Sequence, residues 1–200
     1  MARGVTTMKV ESSTARAIMQ AAIQLFYEQG YSVTSLRQIS DAVGLQVGSL
    51  YNHISSKEQL LYSIMKRSMT QLLEDTETSV AAVTDPVERL RAFMTTGIRF
   101  HAEHRHEALI GNSELRALSS AKRRAMITLR DRYQGILESL LQEAADAGAI
   151  KVSDVKIAAY AGVAICVHVA SWYQPGGRLP LDDVEEALAA MYSPTLGTPA

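Results

Sequence analysis

Apolar positions recur at spacings of three and four along nearly the whole chain, and no sustained strict alternation interrupts them. This predicts an all-α protein. The first stretch, STARAIMQAAIQLFYEQG, sets Ala15, Ile18, Met19, Ala22, Ile23, Leu25 and Phe26 on one broad face. Ser12 to Thr14 can cap its start and Gly30 can end it. Thr34 offers an N-cap for SLRQISDAV, whose buried stripe would be Leu36, Ile39, Ala42 and Val43, with Gly44 as its stop. A short third helix is expected over about Val47 to His53. Ser55 or Ser56, followed by Lys57 and Glu58, then opens a long fourth, KEQLLYSIMKRSMTQLLEDTETSV.

Beyond it, Asp85 and Pro86 start a fresh helix, with Val87, Leu90, Phe93, Met94 and Ile98 as its apolar stripe. A shorter segment near EALIGNSELRAL is expected to break at Gly111 and Asn112. A long amphipathic helix from SAKRRAM onward should stop at Gly148. Lys156 to Tyr173 is nearly free of charge and reads as buried on more than one side. PGG at 175 to 177 is a hard stop before a last helix, LDDVEEALAAMY. The expected organisation is a disordered arm over 1–11, a small helical domain over 12–56, a larger bundle over 57–193 and a frayed tail over 194–200. There are no internal repeats.

Composition narrows the class. Two hundred residues with 47% hydrophobic content suffice for a sizeable core. The single cysteine, Cys166, excludes an intramolecular disulfide framework and sits in an apolar run, AGVAICVHVA, where a buried thiol is expected. The N-terminus has no apolar signal region, and no window approaches 18 uninterrupted apolar residues, so no membrane span is expected. These features suggest a cytoplasmic protein. Residues 1–70 carry seven basic against four acidic side chains, a balance of +3, which leaves −4 for the remainder of a chain whose net charge is −1. The N-terminal part is the candidate anion-facing region.

Its chemistry points the same way. A helix, a tight turn at Gly44 and a second short helix form a helix-turn-helix pattern, in which the second helix enters a DNA major groove. A purely structural helix would expose charged residues. Here the outward side offers Gln46, Ser49, Tyr51, Asn52 and His53, short or planar hydrogen bonders suited to phosphates and base edges. The stretch TSLRQISDAVGLQVGSLYNHISSKEQLL resembles the DNA-binding region of the TetR family of bacterial transcription regulators, and the likeness extends back to Ser12. That resemblance implies a two-domain, all-α homodimer in which three N-terminal helices bind double-stranded operator DNA. A C-terminal bundle would bind a small effector and dimerise. It further implies phosphate contacts from Thr34, Ser35, Tyr51, His53 and Lys57, with Arg37 a further candidate, and base reading by Gln46, Val47, Gly48, Ser49 and Asn52. Two positions depart from the family pattern: Val47 stands where many members carry lysine or arginine, and Ile54 replaces the usual phenylalanine.

In the C-terminal part, His101, His104 and His106 lie close together, but only the first two share a helix face and no H-E-x-x-H pattern exists. They read as solvated histidines near a helix end, and no metal or cofactor is expected. No G-x-S-x-G elbow or phosphate-cradling glycine loop supports catalysis, and Cys166 and His168, two apart on a helix, point in different directions. The protein is therefore not expected to be an enzyme. Met65, Met69, Phe93, Phe100, Ile110, Met126, Tyr133 and Ile136, with Asn112, are candidates for an adaptable apolar cavity holding a small hydrophobic effector. Ala161, Ala164, His168, Trp172 and Leu188 are candidates for a homodimer interface, where small residues, Gly162 among them, allow close approach. SWYQPGGRLPLDDV resembles a WY-x-PGG-x-L segment of family members that repress sterol and fatty-acid degradation, which implies an acyl-CoA thioester as effector. The expected function is thus a repressor released from a palindromic operator. The rival reading is an all-α carrier or enzyme with a vestigial DNA-binding head.

Overall fold

The computed structural model describes residues 13–195. The arm expected over 1–11, the capping role of Ser12 and the end of the expected tail lie outside the described residues. Among those residues all regular structure is helical: α1 Ser13–Gln29, α2 Leu36–Ala42, α3 Val47–Leu50, α4 Lys57–Ala81, α5 Pro86–Glu103, α6 Arg105–Ser113, a 3-10 turn Glu114–Ala117, α7 Ser120–Asp146, α8 Val155–Trp172 and α9 Leu181–Thr195. The chain forms two compact units that meet in sequence between Leu61 and Tyr62. That boundary falls inside α4 rather than ahead of it.

In the first unit α2 packs against both α1 and α3. Ile18, Ala22 and Phe26 supply the inner stripe of α1, Ile39 that of α2 and Leu50 that of α3, all buried. Burial of each large side chain contributes about 1.5–3 kcal/mol. Phe26 meets Tyr31 edge to face, with centroids 5.1 Å apart.

The second unit is built around α5, which contacts α6, α7, α8 and α9. Asp85 caps it by accepting hydrogen bonds from the Val87 and Glu88 amides, with Pro86 in the first turn. Its inner face buries Leu90, Phe93, Met94 and Ile98 against Leu137, Leu141, Cys166 and Val169. Arginines on its outer side pair with carboxylates of neighbouring helices: Arg89 with Glu143, Arg91 with Glu186, and Arg99 with Asp182 at 2.6 Å and Glu185 at 2.9 Å.

Three local expectations need correction. Helix α6 runs through Gly111 and Asn112 to Ser113 and gives way only then to the 3-10 turn. A mid-helix glycine costs only about 1 kcal/mol relative to alanine, which packing can offset. Helix α8, expected to be buried on more than one side, buries one stripe, Ala159, Gly162, Cys166, Val169 and Ala170, against α5, α6 and α7 and leaves Ile157, Tyr160, Ala161, Ala164, His168 and Trp172 exposed, although by length and composition alone it is apolar enough to cross a membrane. Third, α9 continues to Thr195, past the expected start of the tail.

Candidate nucleic-acid interface and buried cavity

The helix-turn-helix geometry is set by short-range hydrogen bonds. Ser35, not Thr34, caps α2: its hydroxyl accepts from the Gln38 amide, and the Gln38 side chain accepts from the Ser35 amide at 2.7 Å, a reciprocal capping box. At the other end Gly44 takes φ +67°, and the Leu45 amide donates to the Ser40 carbonyl at 2.9 Å, closing the helix in a Schellman turn. Gln46 caps α3 from an extended backbone but its side chain makes no cap hydrogen bond. The regular helix covers only Val47–Leu50, shorter than expected. The chain nevertheless keeps turning, since the His53 and Ile54 amides both donate to the Leu50 carbonyl.

Leu50 is fully buried and anchors this short helix, while Gln46, Gly48, Tyr51, Asn52 and His53 are exposed and Val47 and Ser49 half-buried. Tyr51, at 55% exposure, is a large ring with little intramolecular reason to be outside. Arg37 is also exposed, 3.9 Å from Asp41 on the same helix. Ser35 is exposed too, but its hydroxyl is held in the capping box. A planar amide, a phenol, an imidazole and a guanidinium thus accompany a helix of a size the major groove accepts.

Two expected phosphate donors are engaged elsewhere. Thr34 is only 1% exposed, and its hydroxyl donates to the Gly30 carbonyl at 2.8 Å and the Leu25 carbonyl at 3.3 Å. The Gly30 carbonyl also accepts from the Thr34 amide, so this residue is tied to the end of α1 by backbone and side chain together. The Lys57 ammonium donates to the carbonyls of Tyr31 at 2.8 Å, Ser32 at 3.3 Å and Thr34 at 2.7 Å, and lies 4.5 Å from the Tyr31 ring centroid. An ammonium has three donors, and all three serve the α1–α2 loop.

The second unit holds a half-open cavity of about 360 Å³. Six of the nine expected residues line it: Met65, Met69, Phe100, Asn112, Met126 and Tyr133. Phe93 does not, because it is fully buried and stacked on Tyr133 with centroids 4.7 Å apart. Ile110 is buried, and Ile136 packs against the core. Ile136 falls off the helix face that carries Met126, Arg130 and Tyr133.

Several lining groups were not expected: His101, Glu107, Arg130, and Tyr160, Val163 and Val167 of α8. His101 is buried rather than solvated; its Nδ1 lies 2.7 Å from the Gly97 carbonyl, and burial holds its pKa below the usual histidine range. His104, half-exposed, faces Glu107 at 3.8 Å; that contact raises the histidine and lowers the carboxyl. Burial pushes the Tyr133 hydroxyl well up and the Cys166 thiol up to about 12. The neighbouring hydroxyls of Tyr133 and Thr76 are sealed from solvent, and neither closes a hydrogen bond of good geometry. For Arg130 the sequence did carry a signal, a charge lying on the apolar stripe between Met126 and Tyr133. Among the described residues no group of three or more histidine, cysteine, aspartate or glutamate side chains is arranged to hold a metal ion.

Of the residues expected at a subunit interface, Ala161, His168 and Trp172 are exposed and Leu188 is half-buried. Ala164 is exposed as well, at the rim of the cavity, which it also lines. Gly162 serves packing within the chain, since a Cβ there would lie 2.7 Å from Leu137 and 2.9 Å from the Tyr192 ring. The WY-x-PGG-x-L segment forms a separate groove between α8 and α9 and shares no lining residue with the cavity.

Comparison with known proteins agrees with this architecture. Residues 18–64 match the family described as "Bacterial regulatory proteins, tetR family", and residues 83–194 match "Tetracyclin repressor-like, C-terminal domain". The HTH-type transcriptional repressor KstR2 of Mycolicibacterium smegmatis is 28% identical over 179 residues, covering 87% of this chain and 86% of that protein. Among solved structures, the TetR family transcriptional regulator PfmR of Thermus thermophilus is 30% identical with a TM-score of 0.81, covering 90% of this chain and 97% of that one. AibR, solved in complex with isovaleryl coenzyme A and operator DNA, is 30% identical with a TM-score of 0.83 over 91% of this chain and 99% of that one. The matched families and relatives are transcriptional regulators, not enzymes.

Proposed function

The chain belongs to the TetR family of bacterial transcriptional regulators, and from that premise we propose that it is a homodimeric repressor. It binds a palindromic operator in the cytoplasm and leaves it when an acyl compound, as a free acid or a coenzyme A thioester, occupies the cavity. The observation that carries this reading is helix α4. It starts at Lys57, whose ammonium grips the loop ahead of α2, and further along the same helix Met65, Met69 and Leu72 form cavity wall. A ligand that displaces Met65 and Met69 therefore moves the residue that holds the reading head. Only a differential affinity of ligand for the two positions of α4 is required.

The acyl class is supported by AibR, whose structure holds isovaleryl coenzyme A, and by the likeness of the WY-x-PGG-x-L segment. The dimer is supported by an exposed apolar strip on α8 and α9, with Ile157 at 67%, Tyr160 at 54%, Trp172 at 48% and Met191 at 66% exposure. Large exposed side chains in such number mark an interaction surface.

The test is selection of genomic fragments by the purified protein at physiological salt, followed by gel-shift titration of the best fragment. Tyr51→Ala is expected to weaken operator binding by at least tenfold, about 1.4 kcal/mol, with an unchanged melting curve. Unchanged affinity in that variant would remove α3 from the interface.

A further inference from the structure

Most of the cavity wall is apolar, but Arg130 of α7 forms part of it and is the only lysine or arginine among the described lining residues. One guanidinium N–H donates to the Gly111 carbonyl at 2.7 Å. No ion pair to Arg130 forms among the described residues. Of the two lining carboxylates, Glu107 is turned to His104 and Asp131 is exposed. Arg89, Arg91, Arg99 and Arg132, all partly exposed, each have a carboxylate partner, and half-buried Arg105, which has none among the described residues, does not line the cavity. Arg130 is half-buried without one, and burial draws its pKa down with no opposing charge to raise it.

A desolvated cation without a counter-ion costs free energy that a bound anion offsets. Guanidinium also has five donors in a planar fork, so most of its hydrogen-bonding capacity remains for a ligand. We propose that the effector is an amphiphile whose anionic oxygens bind Arg130 while its apolar body lies against Met65, Met69, Leu72 and Met126. This rests on the reading of the cavity as the effector site and assigns to Arg130 the ligand's negative charge. At about 30 Å³ per water-sized group, the cavity encloses roughly a dozen heavy atoms. The anion is either a carboxylate on the apolar chain or a phosphate of its coenzyme A thioester.

Calorimetric titration of the full-length protein, without DNA, tests this with octanoate, octanamide and octanoyl-CoA. Octanoate falls just under the enclosed size. If the anion is a carboxylate, octanoate binds about tenfold or more tighter than octanamide, because charge-assisted hydrogen bonds are about twice as strong as neutral ones. Arg130→Gln abolishes that gap, whereas Arg123→Gln, which removes an exposed arginine of the same helix outside the cavity, preserves it. If the anion is a phosphate, octanoyl-CoA alone binds, and Arg130→Gln weakens it by a similar factor.

Equal binding of octanamide and both anions by the wild-type protein would overturn the proposal, and that comparison does not depend on a folded variant. So would full retention of anion binding in a folded Arg130→Gln protein, or failure of both anions to bind. Operator binding by the ligand-free protein is measured separately, so a failed regulator reading is distinguishable from a failed ligand assignment.

Discussion

Lys57 decides between two origins of operator affinity at the scale of a single residue. Its three hydrogen bonds to loop carbonyls mean that Lys57→Met should destabilise the N-terminal unit by about 2 kcal/mol. Operator affinity should fall as well, but the dependence of log K on log salt should keep its slope. A lysine that neutralised a phosphate would instead reduce that slope by about 0.9 on removal. Salt titration of both proteins on the same fragment distinguishes them. Sequence places Lys57 and Thr34 in the right region but does not assign their partners, because their polar atoms are taken by carbonyls that only the folded loop brings within reach. His101 departs from expectation for a related reason: a three-histidine run looks solvated until the bundle closes over one member. The unfolded chain protonates this histidine near pH 6.5, whereas burial keeps the folded imidazole neutral to lower pH. Below about pH 6.5 the unfolded state therefore binds more protons, and stability falls as the pH drops. His104 has the opposite sign, since its pKa is raised, but it is half-exposed and more screened. Urea denaturation between pH 7.5 and 5 should show a smaller loss of stability in His101→Gln than in the wild-type protein.

For the helices, boundary chemistry is legible where it is local. Asp85-Pro86, Gly30, Gly44 and Gly148 start or stop helices as their side chains or positive φ require. Gly111 does not break its helix because a glycine is permissive rather than prohibitive inside a packed one. Which stripe of α8 faces its own bundle is not legible, because periodicity identifies an apolar face without naming its partner. Gly162 lies under Leu137 and Tyr192 rather than at a subunit contact. Gly162→Ala should cost about 1–3 kcal/mol by overpacking, read as a lower urea midpoint with an unchanged slope. An unaffected midpoint would mean that Tyr192 swings aside freely. In the cavity, side-chain type identifies the methionines and aromatics, whereas Arg130 is legible only from its place on the apolar stripe between Met126 and Tyr133, since a lone charge on an amphipathic helix ordinarily marks its solvated side.

For the whole molecule, the reading head and the cavity lie in different compact units that share one helix, α4. Function then depends on the distance between two reading heads in a dimer, about 34–36 Å or a multiple of it for a palindrome read on one side of the duplex. The N-terminal unit, residues 1–61, carries a balance of +1 and the bundle, residues 62–200, one of −2, so the sign of the charge favours DNA approach by the N-terminal unit. The most direct test is a DNase I footprint of the ligand-free protein on its selected genomic fragment at physiological salt. The account predicts a protected palindrome whose half-sites lie one helical turn, or a whole number of turns, apart. Diffuse protection that fades with modest added salt and follows no symmetric sequence would contradict it.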